Sequence, residues 1–272
     1  MLSYRNLAGR VELTNRAMVT PEETLSCAGV PVSSLTPKEA CALLVECGVN
    51  GPVGPMDVHL CNAYTLALAD RSPEYREILR ESALNLPDGM SVIWANQLLH
   101  RGQIAPRERV RGTDLFLNVV SAGNDKQLRH YLLGSTPDVL ESLSNNLRKR
   151  CPAALIVGSE SPPFRDLTDR EREDQIQRIT KSRAQIVWVG LGTPKQDFEA
   201  IRLARQIPLV FVAVGAAFDF VAGNKREAPM WMQRAGLEWF HRLISEPRRL
   251  WRRYLFGNVR FLKAVIRHRK DQ

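Results

Sequence analysis

No Cys-x-x-Cys pair occurs in this 272-residue chain, and its five cysteines (Cys27, Cys41, Cys47, Cys61 and Cys151) are odd in number. The five histidines are scattered. A zinc-ligand spacing and a disulfide framework are therefore excluded, and the cysteines read as small buried apolar residues of a protein from a reducing cytoplasm. Asp-x-Asp is also missing. That removes the obvious carboxylate pair for a divalent metal, so no metal or other cofactor is expected, and any phosphate would be handled by arginines and helix N-termini. Long hydrophobic runs are absent too. The longest, IPLVFVAVGAAF (207–218), is too short to span a bilayer and reads as a buried strand entering a turn. Arg5 and Arg10 are not followed by an apolar segment, so no secretory leader is expected. The dinucleotide fingerprint is incomplete. In VGLGTPKQD (189–197) Lys195 stands where the third glycine would be, and no acidic residue ends a convincing second strand about twenty residues on.

Positive charge is unevenly placed. The chain carries +9, but residues 241–272 alone hold ten Arg and Lys against Glu246 and Asp271, a net +8. A nearly neutral body thus ends in a strongly basic tail. With 44% hydrophobic and 25% charged residues the body is globular. We divide the chain into a loosely structured N-terminal arm (1–27), a core (28–236) and a C-terminal appendage (237–272).

The core alternates strand and helix signals. Apolar strands are expected within 56–61, 129–135, 153–159, 184–192 and 208–217, with a short strand within 28–36. Helices are expected at about 37–47, from Asn62, from Gly89 to His100, and at about 137–150, 169–182 and 194–206. TPKE (36–39) is a capping box with Pro37 in the first turn. Such alternation implies an α/β fold, a Rossmann-like, mostly parallel sheet flanked by helices. Ligands of open parallel sheets sit at the carboxyl ends of the strands, where backbone N–H groups of the following turns attract phosphate. Gly134, Gly158 and Gly192 mark three such ends.

Three short stretches carry candidate chemistry. In LNLPDGMSVIWA (84–95) Asp88 is either turn chemistry and a helix N-cap, or a carboxylate that the protein uses. In TPKQ (193–196) Gln196 either completes a capping box or offers its amide to a ligand at the helix mouth. In VGAAFDFVAG (214–223) Asp219 is either a turn anchor or the acceptor of a hydrogen bond from a base stacked on Phe218.

The tail interleaves arginines with Trp251, Tyr254, Leu255, Phe256, Phe261, Leu262, Val265 and Ile266, and Pro247 separates two helices. So many large apolar side chains do not suit a groove-reading helix, and no nucleic acid is expected. A basic amphipathic helix fits an anionic membrane surface better. The exposed aromatics would be covered by membrane, by the core or by a second copy of the chain in a homo-oligomer. Arg249 and Arg252 share a helix face, and Arg242 could join them across Pro247 to clamp a diphosphate.

Taken in order, CNAYTLALA, LPDGMSVIWA, ERVRGTDL, LLGSTPDV, IVGSESPPF, VGLGTPKQD, VGAAFDFVAG and APMWMQRAGLEWFHRLISEPRRLWRRYL resemble the WecG/TagA/CpsF family of bacterial glycosyltransferases, over about residues 57–262. The resemblance implies an inverting transferase at the inner face of the cytoplasmic membrane. It would move a hexose-type sugar (N-acetylmannosamine, its uronic acid or another hexose) from a UDP-sugar to a polyprenyl-diphosphate-linked saccharide in cell-surface polysaccharide synthesis. It also implies Asp88 as general base, Asn62 and Gln196 beside it, Asp219 near the uracil, and Arg242, Arg249 and Arg252 completing the site from the appendage. Two positions depart from the pattern. Leu60 replaces a common threonine, and Glu160 puts a carboxylate where a nucleotide contact is expected. The competing class is a non-catalytic nucleotide- or nucleic-acid-binding protein with a basic tail.

Overall fold

The computed structural model describes residues 24–100, 106 and 108–270, apart from the side chains of Arg249, Arg253 and Lys270. Most of the expected arm, residues 1–23, lies outside the described residues. Its last four residues form β1 (Thr24–Cys27), which pairs antiparallel with β2 (Val30–Ser33). Leu25 and Cys27 are buried, Cys27 in an apolar cluster, which explains why this segment is held rather than loose.

From there the chain forms α1 (Pro37–Asn50), β3 (Met56–Cys61), α2 (Ala63–Arg71), α3 (Pro73–Glu81), β4 (Leu84–Pro87), α4 (Met90–Leu99), α5 (Gly112–Ala122), β5 (Arg129–Gly134), α6 (Pro137–Arg150), β6 (Leu155–Glu160), α7 (Asp169–Lys181), β7 (Ile186–Gly190), α8 (Lys195–Ala204) and β8 (Val210–Ala213). Two short helices, α9 (Ala217–Val221) and α10 (Met230–Arg234), lead to α11 (Glu238–Ser245) and α12 (Pro247–Arg267). The Thr36–Glu39 capping box is present, and Pro247 does begin a new helix. β4 escaped the sequence reading because four buried residues show no usable period.

The six main strands form one sheet in the order β4-β3-β8-β7-β5-β6, every neighbouring pair parallel. The α/β Rossmann-like expectation is met. Strand alternation sends Ile186, Trp188, Val210 and Val212 to one face, under α1, α5, α6 and α9. Val187, Val189, Phe211 and Ala213 go to the other, under α7 and α8. β3 differs on that second face. His59 is buried between Asp57 and Asp197, its ring nitrogens 2.8 and 2.9 Å from their carboxylates, and the Tyr75 hydroxyl donates to Asp197 at 2.8 Å. Burial alone would lower the His59 pKa, but the two carboxylates outweigh it and push it up to about 9. The resulting imidazolium ties β3, α3 and α8 together beneath the carboxyl edge of the sheet. The appendage packs on this side as well. Phe261, Ala264 and Val265 of α12 join Ala63, Leu66 and Val92 in one buried cluster.

Candidate active site

The carboxyl ends of β3, β4, β7 and β8 open into a cavity of about 1370 Å³, roofed by α4, α11 and α12. Where β4 ends, the Asp88 N–H donates to the Cys61 carbonyl (2.9 Å) and the Val110 N–H to the Pro87 carbonyl (2.7 Å). These bonds fix the turn, and Gly89 takes a φ of 101° that an L side chain would resist. Asp88 is not the helix cap that the tripeptide suggested. Gly89 occupies the N-cap position, and no side chain bonds to the first turn of α4. The carboxylate is instead left to face the cavity.

Asn62 does cap its helix. Its Oδ1 accepts from the N–H groups of Tyr64 (3.1 Å) and Thr65 (3.2 Å). That fixes the amide so that its Nδ2 donates toward Asp88 Oδ2 at 3.5 Å. Burial holds the Asp88 pKa above the ordinary carboxylate value. Glu238 adds to this, while Arg109, Asn62 and Arg242 oppose it.

Gln196 is buried at the start of α8. Its Oε1 accepts from the Gly192 N–H (3.0 Å), and Nε2 lies 3.5 Å from the Thr193 hydroxyl. The expected Thr193–Gln196 capping box is not formed: Pro194 is the N-cap without a side-chain cap bond, and the amide instead shapes the loop after β7. Gln196 and Gly192 both line the cavity. Gly134 and Gly158 do not: a Cβ at Gly134 would lie 2.6 Å from the Gly190 backbone, and one at Gly158 would meet the Tyr131 ring at 2.4 Å. Close packing accounts for glycine at these two positions.

Around α9 the structure separates the two expected residues. Phe218 is in the core against Phe116 and Gly190, so it has no face to offer a base. Phe220, two residues on, lines the cavity with the Arg242 guanidinium 5.4 Å from its ring centroid. Asp219 lines it as well and pairs with Lys225 at 2.9 Å.

The arginine trio is not assembled as helical spacing suggested. Arg242 reaches the cavity, with its buried Nε unpartnered. Arg252 is exposed on α12 and stacks on Trp251, 5.2 Å from the ring, away from the cavity lining. The side chain of Arg249 lies outside the described residues. ERVRGTDL adds two more cations to the cavity lining, Arg109 and Arg111, and Arg109 joins Arg242 in acting on Asp88. Arg109 pairs with Glu238 and donates to the Gln233 carbonyl (2.9 Å), while Arg111 pairs with Asp114, Glu227 and Glu238. Both were missed as site residues, although the pattern held a cue. Val110 between them is fully buried, so in an extended segment its two neighbours turn the other way.

The two departures are also explained. Leu60 lines the cavity and fills the space a side chain at Gly112 would need, 2.6 Å away. Glu160 is bound by Arg178 (2.8 Å) and by the Tyr131 hydroxyl (3.2 Å), outside the cavity lining.

Sequence comparisons agree with this geometry. A protein 31% identical over 207 residues is the N-acetylglucosaminyldiphosphoundecaprenol N-acetyl-beta-D-mannosaminyltransferase of Bacillus subtilis (strain 168), with 76% of each chain covered. The protein of the same name from Bacillus spizizenii (strain ATCC 23059 / NRRL B-14472 / W23) is 28% identical over 203 residues, covering 74% of this chain and 75% of that one. The model of the glycosyl transferase WecG/TagA/CpsF family matches residues 25–272. A parallel α/β sheet with a cavity at its carboxyl edge, and a family match over nearly the whole chain, make this protein a glycosyltransferase belonging to the WecG/TagA/CpsF family.

Proposed function

We propose that the protein transfers a hexose-type sugar from a UDP-sugar to a saccharide carried on a polyprenyl diphosphate, with inversion, in cell-surface polysaccharide synthesis. The similar Bacillus proteins, by name, act on N-acetylglucosaminyldiphosphoundecaprenol and transfer a β-configured sugar. The observation that carries the reading is Asp88, a carboxylate pinned by two backbone bonds at the floor of a large cavity with Asn62, Arg109 and Arg242 around it.

In this reading the acceptor hydroxyl gives its proton to Asp88 as its oxygen attacks the anomeric carbon. The bond to the UDP oxygen breaks on the opposite face. Burial and Glu238 raise the Asp88 pKa, which makes it, once ionised, a stronger base than an exposed carboxylate. Charge builds on the departing UDP, and Arg242 is the appendage cation placed to meet it. Asp219, Phe220 and Lys225 form the nucleotide end, with Phe220 in the stacking role that Phe218 cannot fill. The arginines and lysines supply the positive charge in place of a divalent metal, and turnover is expected to persist in a chelator.

The membrane is met by α12. Leu255, Val259, Leu262 and Ile266 form an exposed stripe at helical spacing, with Arg252, Arg260, Lys263 and Arg267 beside it. Among the described residues no helix is long and apolar enough to cross a bilayer. We place the protein on the inner surface of the cytoplasmic membrane, held by this stripe and by attraction to anionic lipid. A screen for UDP release across UDP-hexoses, with a polyprenyl-diphosphate N-acetylglucosamine acceptor, tests the reaction. Acceptor-dependent release supports it. Release from none of the donors, by a folded protein, contradicts it.

A further inference from the structure

The lining of the cavity is divided. One part holds Asp88, Arg109 and Arg242, and the other is apolar. The apolar part is made by Trp94 and Leu98 of α4 facing Tyr254, Leu262 and Val265 of α12. It is not ordinary core, since Trp94 is 55%, Leu98 63% and Leu262 58% exposed. Large apolar side chains held open beside a polar site mark a surface that a ligand covers.

From the geometry we infer that the gap between α4 and α12 is the slot through which the acceptor's polyprenyl chain enters the site. Trp94 and Leu98 are then its specificity-determining side chains. This rests on the reaction proposed above. Two observations favour a lipid chain over other occupants. Leu262 belongs both to the cavity lining and to the exposed stripe of α12, so the apolar stripe reaches the wall of the cavity. The walls are also fixed. Phe261, Ala264 and Val265 anchor α12 on α2 and α4, and Trp94 lies close to Gly236 at the entry to α11, 3.5 Å from where a Cβ there would sit. A nucleotide sugar has no apolar portion to match such walls.

The experiment compares two synthetic acceptors with the same N-acetylglucosamine diphosphate, one on a long polyprenyl chain and one on a short alkyl chain, in the same detergent. The donor is the one identified by the UDP-release screen. Leu98→Ser and Trp94→Ser are the variants, and both side chains are more than half exposed, so the fold should survive. Thermal midpoints confirm it, and Leu98→Trp, which narrows the slot without adding polarity, is a second probe. The expected result is a loss of about tenfold in kcat/KM on the long-chain acceptor for each variant, with the short-chain acceptor changed less than about twofold. Association with anionic vesicles should be unchanged, because neither residue lies on the α12 stripe. Equal losses on both acceptors, or none on either, would overturn the slot. A folded wild type that is silent with every acceptor would instead overturn the reaction on which it rests.

Discussion

The carboxyl edge of the sheet and the basic appendage contribute to one cavity in different ways. At the sheet edge each polar group is fixed by backbone chemistry within a few residues. Asp88 is set by the β4 turn, Asn62 by its own helix cap, and Gln196 by the loop after β7. In the appendage, position depends on how whole helices lie on the core. Among the described side chains Arg242 reaches the cavity, while Arg252 turns out to Trp251. Local geometry therefore supplies the reacting groups, and long-range packing decides which charges meet them. The two regions are also tied electrostatically. Glu238 and Glu246 in the appendage pair with Arg109, Arg111 and Lys225 of the core.

The comparison can be sharpened by substitution. Asp88→Asn should lower kcat by about 10²–10⁴-fold, the usual worth of a general base, with UDP affinity retained in a binding titration. Arg242→Gln should cost about 10²-fold in kcat if it meets charge that develops on UDP. Arg252→Gln should stay within about twofold on a short-chain acceptor, since that side chain is outside the cavity. An effect as large as that of Arg242→Gln would show that α12 turns inward on binding substrate.

Smaller effects follow from the charge around Asp88. Glu238→Gln removes an influence that raises its pKa, so the acid limb of the kcat profile should move to lower pH. Stability should respond in the opposite sense to activity. Because the folded-state pKa of Asp88 is raised, its ionisation costs stability as pH rises through the unfolded and then the folded pKa. Asp88→Asn should therefore melt higher than wild type at pH 7.5, and the gap should close toward pH 4, as scanning calorimetry can check.

The parallel fold was legible because βα alternation is a long-range, redundant signal. Strands such as Arg129–Gly134 and helices such as Pro137–Arg150 carry both the right period and clear end signals. The candidate base was legible as a position, since Pro-Asp-Gly had to be a turn. That its side chain faces a cavity rather than capping α4 depends on Cys61 and Val110, which lie far along the chain from the turn. Phe218 and Phe220 are two apart on a five-residue helix, and periodicity could not decide which one the core would take. Arg109 and Arg111 were overlooked because charge was sought in the dense tail. Two arginines in a short loop do not stand out until Glu238 is folded back onto them.

The role of Asp88 is tested most directly by the single-turnover rate of sugar transfer against pH, in wild type and Asp88→Asn at saturating donor. The wild-type rate should fall toward acid through an inflection above the ordinary carboxylate value, and the variant should be slow throughout with no such inflection. A variant that transfers at the wild-type rate, or that keeps the same acid inflection, would contradict it.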